Sequence, residues 1–295
     1  MADKALDKIE GLKMEKYDII IVGAGPAGLT SALYGARANK KVLVLDGALG
    51  SGECGKIIRL DNYPGISQTD GITYLFTLKD QAEKSGATFL HQTVTEVDCA
   101  TKTVKTRKGE YCADVIILAT GCKSQKLGLE NEKQLVGYGV SYCATCDGAL
   151  FRGREVALVG SGKKAEEDVK YLASIVKKVY FITNSSALEM DNVEKINSSI
   201  VSLNGNPLHS ITLDNGAVLN VPVIFVNIGY IPETALVLGQ VEMNGKGYII
   251  TDENMQTSVS KVYAVGDIRQ KSLRQIITAC SDGAIACEHA IRNKE

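Results

Sequence analysis

Two cysteines lie two residues apart in the middle of the chain, and an acidic residue directly follows the second one. Cys143 and Cys146 form the pair, and Asp147 comes next. A C-x-x-C pair can close a small disulfide ring, and its neighbours can lower the pKa of one thiol so that a thiolate exists near neutral pH. Asp147 is then placed to give or take the proton of the reacting sulfur. The pattern predicts a redox dithiol with its own acid–base residue.

The same cysteines could also supply half of a zinc site. A structural zinc ion needs four protein ligands, and a catalytic one needs three together with a water. The sequence has no second C-x-x-C pair, and its 3 histidines are scattered singly. The spacing therefore favours a redox dithiol, and no metal is expected.

A glycine-rich turn near the start of the chain lies between a strand and a helix. The apolar run 17–22 precedes the turn 23–28 (GAGPAG), a helical pattern covers 29–39, and a second strand at 41–45 runs into Asp46. Glycines let the backbone approach a pyrophosphate, and an acid about 20 residues further on accepts the ribose hydroxyls. These elements together predict a dinucleotide site. Its residues are Gly23, Gly25, Pro26, Ala27, Gly28 and Asp46.

A second, approximate copy of this unit follows the cysteines. Strand 155–159 leads into the turn 160–165 (GSGKKA), then into a helix and a strand at 178–182. Two copies predict an α/β protein with two Rossmann-like, three-layer ββα nucleotide-binding domains. The segment 183–186 (TNSS) offers neither an acid for the ribose of NAD nor an arginine for the phosphate of NADP. We favour a nucleotide fold that has lost its ligand over a working pyridine-nucleotide site.

Composition limits the classes of partner. The chain has 295 residues, 45% of them hydrophobic, and a formal net charge of -1, which gives no preference for nucleic acid or an anionic membrane. No apolar run approaches the ~20 residues of a membrane span. Residues 1–16 lack the apolar segment of a signal peptide and are expected to be a short extension. Eight cysteines without such a signal indicate a reducing cytoplasm.

The combined motifs resemble those of the low-molecular-weight thioredoxin reductases. The matching segments are 23–28, 62–65 (NYPG), 119–121 (ATG), 143–148 (CATCDG), 265–267 (VGD) and 274–276 (RQI). The resemblance implies FAD in a first domain formed by 17–123 and 246–295. It implies a central domain, 124–245, that is inserted into the first and carries the dithiol. It also implies a homodimer whose central domains rotate, presenting the dithiol first to the flavin and then to thioredoxin.

The resemblance further implies roles for single residues. Cys146 would face the flavin, Cys143 would attack the disulfide of thioredoxin, and Asp147 would be the acid–base residue. Asp46 would bind the ribose of FAD, and Asp267 its ribitol. The other FAD contacts are expected at Gly47, Asn62, Ala119, Thr120, Gly121, Gly266, Arg274, Gln275 and Ile276.

One departure from this family concerns the electron donor. Members that use NADPH carry a His-Arg-Arg cluster where this chain has 183–186, and usually Asp-Ser where it has Lys163 and Lys164. In this respect the chain resembles the ferredoxin-dependent flavin thioredoxin reductases, in which reduced ferredoxin delivers single electrons to FAD. The alternatives are an NAD(P)H-dependent reductase with unusual nucleotide contacts, and a redox-sensing flavoprotein that binds a partner without turnover.

An acidic ferredoxin would require a basic docking patch on its partner. The candidate side chains are those that the resemblance places near the flavin edge. They are Lys56, Arg59, Arg269, Lys271 and Arg274.

Overall fold

The computed structural model describes residues 15–66 and 68–293, so nearly all of the expected extension 1–16 lies outside the described residues. The chain folds into two compact units. The first contains the described parts of 1–55, 71–122 and 232–295, and the second contains those of 56–70 and 123–231. None of the helices in the described ranges has the length and apolarity to cross a bilayer.

The helices and strands follow the chain in this order. The helices are α1 (Pro26–Arg37), α2 (Gly71–Lys84), α3 (Glu132–Leu135), α4 (Ala144–Asp147), α5 (Gly162–Ala173) and α6 (Ile276–Arg292). The strands are β1 (Glu15–Val22), β2 (Val42–Asp46), β3 (Thr88–His91), β4 (Val94–Asp98), β5 (Thr103–Thr106), β6 (Glu110–Leu118), β7 (Cys122–Ser124), β8 (Val140–Ser141), β9 (Glu155–Gly160), β10 (Lys178–Ile182), β11 (Val193–Ile196), β12 (Ile200–Asn204), β13 (Ser210–Leu213), β14 (Val218–Leu219), β15 (Ile224–Asn227), β16 (Tyr230–Pro232) and β17 (Val262–Ala264).

The first unit is built on a sheet of order β3-β2-β1-β6-β5-β4, in which β17 also pairs with β6. Strands β1, β2, β3, β6 and β17 pair in parallel, and β4, β5 and β6 pair antiparallel. Ile19 and Ile21 of β1 pack on one face with residues of α1 and α6, and Ile20 and Val22 pack on the other. Because both faces of β1 are buried, its sequence is a continuous apolar run.

The second unit repeats the β–α–β arrangement. Strands β11-β10-β9-β15-β8 form a five-stranded sheet whose pairings are all parallel, and β12-β13-β14 form an antiparallel sheet. Leu158, Phe181 and Phe225 of the parallel sheet pack against Val169 and other residues of α5. The expected α/β architecture with two Rossmann-like units is confirmed.

The chain returns to the first unit at Pro232, earlier than the expected limit at 246. Residues 232–245 belong to the first unit because Val237 and Val241 join the apolar cluster on its sheet. The side-chain amide of Gln240 also donates to the carbonyl oxygen of Val97 at 2.7 Å. The opposite limit, expected at 123/124, lies at 122/123.

The segment 56–70 belongs to the second unit, although the sequence suggested the first. Leu60 and Thr69 pair across it as an antiparallel bridge. Gly137 of the second unit lies so close to Ile58 that a β-carbon at this glycine would be 2.3 Å from Ile58 Cδ1. Asn62 is therefore placed in the second unit, whereas the other expected FAD contacts lie in the first.

Candidate active site

The cysteine pair forms a disulfide at the start of helix α4. Cys143 and Cys146 are bonded, and the N–H of Cys146 points at the Cys143 sulfur at 3.2 Å. The hydroxyl of Thr145 lies 3.5 Å from the same sulfur. Because a disulfide sulfur carries no hydrogen, the hydroxyl is the donor in this contact. Two donors therefore converge on Cys143, and they would stabilise a thiolate there once the disulfide opens.

Asp147 ends the same short helix, and its carboxylate accepts a hydrogen bond from a serine. Its Oδ2 lies 2.6 Å from the hydroxyl oxygen of Ser141. Burial raises the pKa of Asp147, and the hydrogen bond from Ser141 lowers it in part. Asp147 thus keeps a proton to higher pH than an ordinary aspartate, which suits a proton donor. Sequence reasoning missed Ser141, whose only signal was its place in an apolar strand just before the cysteines.

Tyr142, the residue before the first cysteine, makes hydrogen bonds through both its hydroxyl group and its carbonyl oxygen. The hydroxyl of Tyr142 donates to Oε1 of Glu132 at 2.7 Å, and its carbonyl oxygen accepts from the hydroxyl of Tyr230 at 2.5 Å. Glu132 is only 2% exposed and also accepts the backbone N–H groups of Leu127 and Gly128 at 2.9 Å. This buried carboxylate anchors the chain that leads into Cys143, and sequence reasoning did not single it out.

The glycine turn of the first unit lies at the carboxyl end of β1. Gly23 has φ +106°, and a β-carbon there would be 2.5 Å from the carbonyl oxygen of Ala119. A β-carbon on Gly28 would lie 2.1 Å from the carbonyl oxygen of Gly23. Neither position admits a side chain. A β-carbon on Gly25 would meet nothing within 4 Å, which leaves open space at the start of α1. A phosphate group fits such a position.

The expected ribose-binding acid, Asp46, is hydrogen-bonded to this glycine turn. Asp46 ends β2, and its two oxygens accept the N–H groups of Ala24 at 2.7 Å and Ala48 at 2.8 Å. Between these residues, a β-carbon on Gly47 would lie 2.2 Å from the hydroxyl oxygen of Thr93. The carboxylate of Asp46 is therefore oriented before any ligand arrives.

The expected contacts at 119–121 lie beside this turn. The hydroxyl of Thr120 donates to the carbonyl oxygen of Glu233 at 2.7 Å, and the carbonyl oxygen of Gly121 accepts the N–H of Glu233 at 3.0 Å. These bonds bring the segment that follows the second unit onto the end of β6.

Two buried polar atoms near the end of β17 lack hydrogen-bond partners among the described residues. They are Oδ1 of Asp267 and Nε of Arg274. Burial is the main cause that raises the pKa of Asp267. The guanidinium of Arg274 lies over the ring of Tyr248, 4.2 Å from its centroid. Unpaired buried groups are costly, so this pair of atoms fits a site for a hydroxyl-bearing ligand such as the ribitol of FAD.

The adjoining residues begin the last helix. Gln275 is the N-cap of α6, and its N–H donates to the hydroxyl oxygen of Thr278 at 3.2 Å. Ile276 is the first residue of that helix.

Two cations of the expected docking patch are buried and paired. Arg269 and Lys271 both contact Asp282 of α6, with nitrogen–oxygen distances of 2.9 Å and 2.7 Å. Their side chains are 16% and 6% exposed, and that of Asp282 is 6% exposed. The same carboxylate accepts the N–H of Gly266 at 3.0 Å. The prediction of a docking role is wrong for these two residues, because they neutralise a buried acid that braces the turn of Asp267.

The glycine turn of the second unit has different side chains around it. Val22 pairs with Leu45 in the first sheet, and Val159 pairs with Ile182 in the second. Since each glycine turn begins at the next residue, Thr183 occupies the place that Asp46 holds in the first unit. The second unit therefore presents a hydroxyl where the first presents a carboxylate.

Among the charged groups of α5 near this turn, Lys164, Glu166 and Asp168 contact each other or neighbouring side chains, and Lys163 is exposed. Lys164 contacts Asp168 at 2.6 Å, and Asp168 also accepts from the amide of Asn227 at 2.6 Å. The hydroxyl of Ser186 donates to Oε1 of Glu166 at 2.7 Å. An acid thus lies beside the segment 183–186, where an NADP phosphate would require cations.

Comparison with known proteins identifies the family. The model of the pyridine nucleotide-disulphide oxidoreductases matches residues 17–283. This chain belongs to that family. A thioredoxin reductase of Peptoclostridium acidaminophilum is 38% identical over 93% of this chain and 96% of the relative. A thioredoxin reductase of Bacillus subtilis is 36% identical over 92% of this chain and 93% of the relative.

Solved structures agree with this membership in the pyridine nucleotide-disulphide oxidoreductases. The thioredoxin reductase of Streptococcus pyogenes has a TM-score of 0.88 at 33% identity, covering 94% of this chain and 97% of that one. The enzyme of Giardia duodenalis has a TM-score of 0.89 at 30% identity, covering 95% and 99%. Thioredoxin reductases of this family are FAD-binding flavoproteins, as the sequence led us to expect.

Proposed function

We propose that this chain is a cytoplasmic thioredoxin reductase that uses FAD and the Cys143–Cys146 dithiol. The observation that carries the proposal is the disulfide with Asp147 beside it, in a chain that also has a complete dinucleotide turn. Bound FAD would supply the electron pair that opens the disulfide. Asp46 and Asp267 would hold its ribose and ribitol, and the space beside Gly25 would take its pyrophosphate.

The residues of the dithiol divide the exchange reaction between them. The Cys143 thiolate attacks the disulfide of thioredoxin, and Asp147 gives or takes the proton at the cysteines. Cys146 then attacks the sulfur of Cys143 in the mixed disulfide, and reduced thioredoxin leaves as a dithiol. The donors from Thr145 and Cys146 N–H support Cys143 as the attacking thiolate.

Single cysteine variants test this division. Cys146→Ser should trap thioredoxin on Cys143 as a stable mixed disulfide, and Cys143→Ser should trap none. Mass spectrometry of the mixture identifies the bond. Trapping by the Cys143→Ser variant alone would reverse the two roles, and reduction of thioredoxin by the double variant would rule out the dithiol mechanism. Binding of thioredoxin without steady-state turnover would favour the redox sensor.

We propose reduced ferredoxin as the electron donor. The support is the uncharged segment 183–186, the threonine in the place of Asp46, and the acid Glu166 bonded to Ser186. An iron–sulfur protein at about -400 mV can reduce a thioredoxin disulfide near about -270 mV.

Anaerobic spectroscopy of the yellow protein tests the donor. We expect reduced ferredoxin to bleach the flavin absorption band rapidly, and NADPH and NADH to leave it unchanged on the same time scale. Rapid bleaching by NADPH would instead make the chain a pyridine-nucleotide-dependent reductase with atypical contacts in the second unit. The thioredoxin assignment would stand in either case.

We also propose the homodimer that the resemblance implies. Helices α2 and α6 of the first unit expose apolar side chains, among them Phe76 at 55% and Ile277 at 41%. Exposed apolar groups on neighbouring elements are typical of a subunit interface. Sedimentation equilibrium should give twice the mass of one chain, and a single-chain mass would overturn this proposal.

A further inference from the structure

A buried serine connects the proposed acid–base residue to the backbone of the first cysteine. Ser141 is 6% exposed and lies in β8, where it pairs with Phe225 of β15. Its oxygen accepts the N–H of Cys143 at 3.1 Å and lies 2.6 Å from Oδ2 of Asp147. One hydroxyl group therefore contacts both the beginning and the end of the redox turn.

The hydroxyl of Ser141 has one hydrogen and two acceptors within reach. Oδ2 of Asp147 lies at 2.6 Å, and the carbonyl oxygen of Cys143 lies at 3.4 Å. When Asp147 is ionised, the shorter contact takes the hydrogen because it is charge-assisted. When Asp147 is protonated, the carboxyl O–H donates to the serine oxygen, and the serine hydrogen turns to the carbonyl. The same contact can therefore serve both protonation states.

We propose that Ser141 is a positioning residue that sets the protonation equilibrium of Asp147 during thiol–disulfide exchange. The inference rests on the proposed function, in which Asp147 exchanges protons with the cysteines. In the step concerned, a nucleophile attacks one sulfur, the S–S bond breaks, and its electron pair goes to the departing sulfur. That sulfur takes the proton of Asp147, the resulting carboxylate accepts the hydrogen of Ser141, and water later returns a proton to it.

Few groups other than Ser141 are placed to change the pKa of Asp147. Burial and the bond from Ser141 are the two causes of the change in its pKa, and no Coulombic effect of another described residue is resolved. Helix α5 packs against α4 and places Tyr171 beside Gly148. Of its charged residues, Lys164 is paired with Asp168 and Glu166 accepts a hydrogen bond from Ser186. The others, Lys163, Glu167 and Lys170, are exposed. The turn Gly148–Phe151 and strand β8 carry no charged side chain.

The test follows disulfide reduction by a water-soluble phosphine, without thioredoxin or any electron donor. The phosphine attacks one sulfur and is hydrolysed by water to its oxide, which leaves two protein thiols. Alkylation and mass spectrometry of the holoprotein give the rate at several pH values. At each pH, the reduction rate of a protein is divided by that of the Asp147→Asn variant. The protonation of the phosphine affects both rates equally and therefore cancels in the ratio. Burial raises the pKa of the Cys54, Cys122 and Cys287 thiols to about 12, so they are alkylated slowly.

Besides the Asp147→Asn reference, four proteins are compared. They are the unchanged chain and the variants Ser141→Ala, Ser141→Thr and Ser141→Val. The Thr and Val side chains differ mainly in one hydroxyl, so their comparison holds even if the Ala variant folds poorly. We expect the rate ratio of the unchanged chain to fall as pH rises through the pKa of Asp147. Loss of the hydroxyl in the Ala and Val variants should move this midpoint up by about one pH unit, and Thr should restore it.

The outcomes separate this inference from the function on which it rests. A midpoint that stays the same in the Ala and Val variants would overturn the role of Ser141 and leave that of Asp147 intact. A ratio without pH dependence in the unchanged chain would overturn the acid–base role of Asp147 itself.

Discussion

The two glycine turns each join a parallel strand to a helix and differ in the side chains around them. In the first unit Asp46 accepts the backbone N–H groups of Ala24 and Ala48, and a β-carbon on Gly25 would meet nothing within 4 Å, as would one on Gly162 of the second unit. In the second unit Thr183 takes the place of that acid, and Glu166 is bonded to Ser186. The sheet and helix are present in both units, whereas the carboxylate at the end of the second strand is present in the first unit and replaced by a hydroxyl in the second. A Rossmann-like unit therefore gives a scaffold, and a few side chains decide whether it binds a ligand.

The first glycine of each turn is required for the same packing reason, since a β-carbon on Gly23 would lie 2.5 Å from the carbonyl oxygen of Ala119. In the second unit a β-carbon on Gly160 would lie 2.3 Å from the carbonyl oxygen of Asn227. This glycine is required for the packing of β9 against β15, with or without a ligand. The glycine pattern alone therefore cannot separate a binding turn from a purely structural one.

The largest effect on stability is expected from replacing a buried aspartate in each unit, Asp282 in the first and Asp168 in the second. Asp282→Asn should destabilise the first unit by about 3–5 kcal/mol, because it leaves buried Arg269 and Lys271 without their carboxylate. The matched change in the second unit, Asp168→Asn, should cost less, since its partner Lys164 is 60% exposed. Urea denaturation measures both free energies of unfolding. Equal losses would show that burial of the cations does not matter.

The next largest effect is expected on FAD binding, when the second glycine of each turn is replaced by alanine. Gly25→Ala should weaken FAD binding at least about tenfold with the fold retained, because its β-carbon meets no protein atom within 4 Å. Gly162→Ala should keep its FAD and lose about 1–2 kcal/mol of stability, because this glycine has φ +76°. Flavin content after dialysis and thermal unfolding give the two readings. Loss of FAD from the Gly162→Ala variant would contradict the assignment of FAD to the first turn.

A smaller effect should distinguish the two positions at the end of the second strand. Asp46→Ala should raise the dissociation constant of FAD about tenfold, because it removes a charged hydrogen-bonding partner. Thr183→Ala at the corresponding position should change neither FAD affinity nor ferredoxin-supported turnover. Fluorescence titration of the apoprotein with FAD measures the affinities. A requirement for Thr183 in NADPH-supported turnover would restore the second turn as a working site.

The smallest effect is the pH dependence of stability that Asp267 contributes in the first unit. Burial raises the pKa of Asp267 in the folded apoprotein above its unfolded value. The unfolded chain therefore releases this proton at lower pH, and the stability of the apoprotein falls as pH rises through the folded pKa. Asp267→Asn should make that decline smaller and leave the part that buried Asp147 contributes, which urea midpoints at several pH values will show. An identical pH profile in the variant would exclude Asp267 as its source.

The sequence predicted local features well because they depend on neighbouring residues. The apolar run before Gly23 marked β1, and the spacing of Cys143 and Cys146 marked the pair that the structure joins. What it missed depends on partners distant in the chain. Arg269 and Lys271 looked like surface cations because nothing near them in sequence shows that α6 brings Asp282 to them.

The limits of the units were missed for the same reason. Gln240 reaches Val97 only in the folded first unit, so the return of the chain at Pro232 had no local signal. Ser141 and Glu132 differ from these cases, because their partners lie only 2 to 10 residues away and no pattern of residue types signals the hydrogen bonds.

Strand β17 has a consequence for the synthesis of the protein. It pairs with β6, yet residues 123–231 of the second unit are translated between these two strands. Domains generally fold as their residues emerge from the ribosome, and pairings distant in sequence form late. The second unit can therefore be complete while the first still lacks β17 and α6. Asp267, which we propose to hold the ribitol of FAD, is also translated after the second unit, so this contact can form only once the second unit has been made.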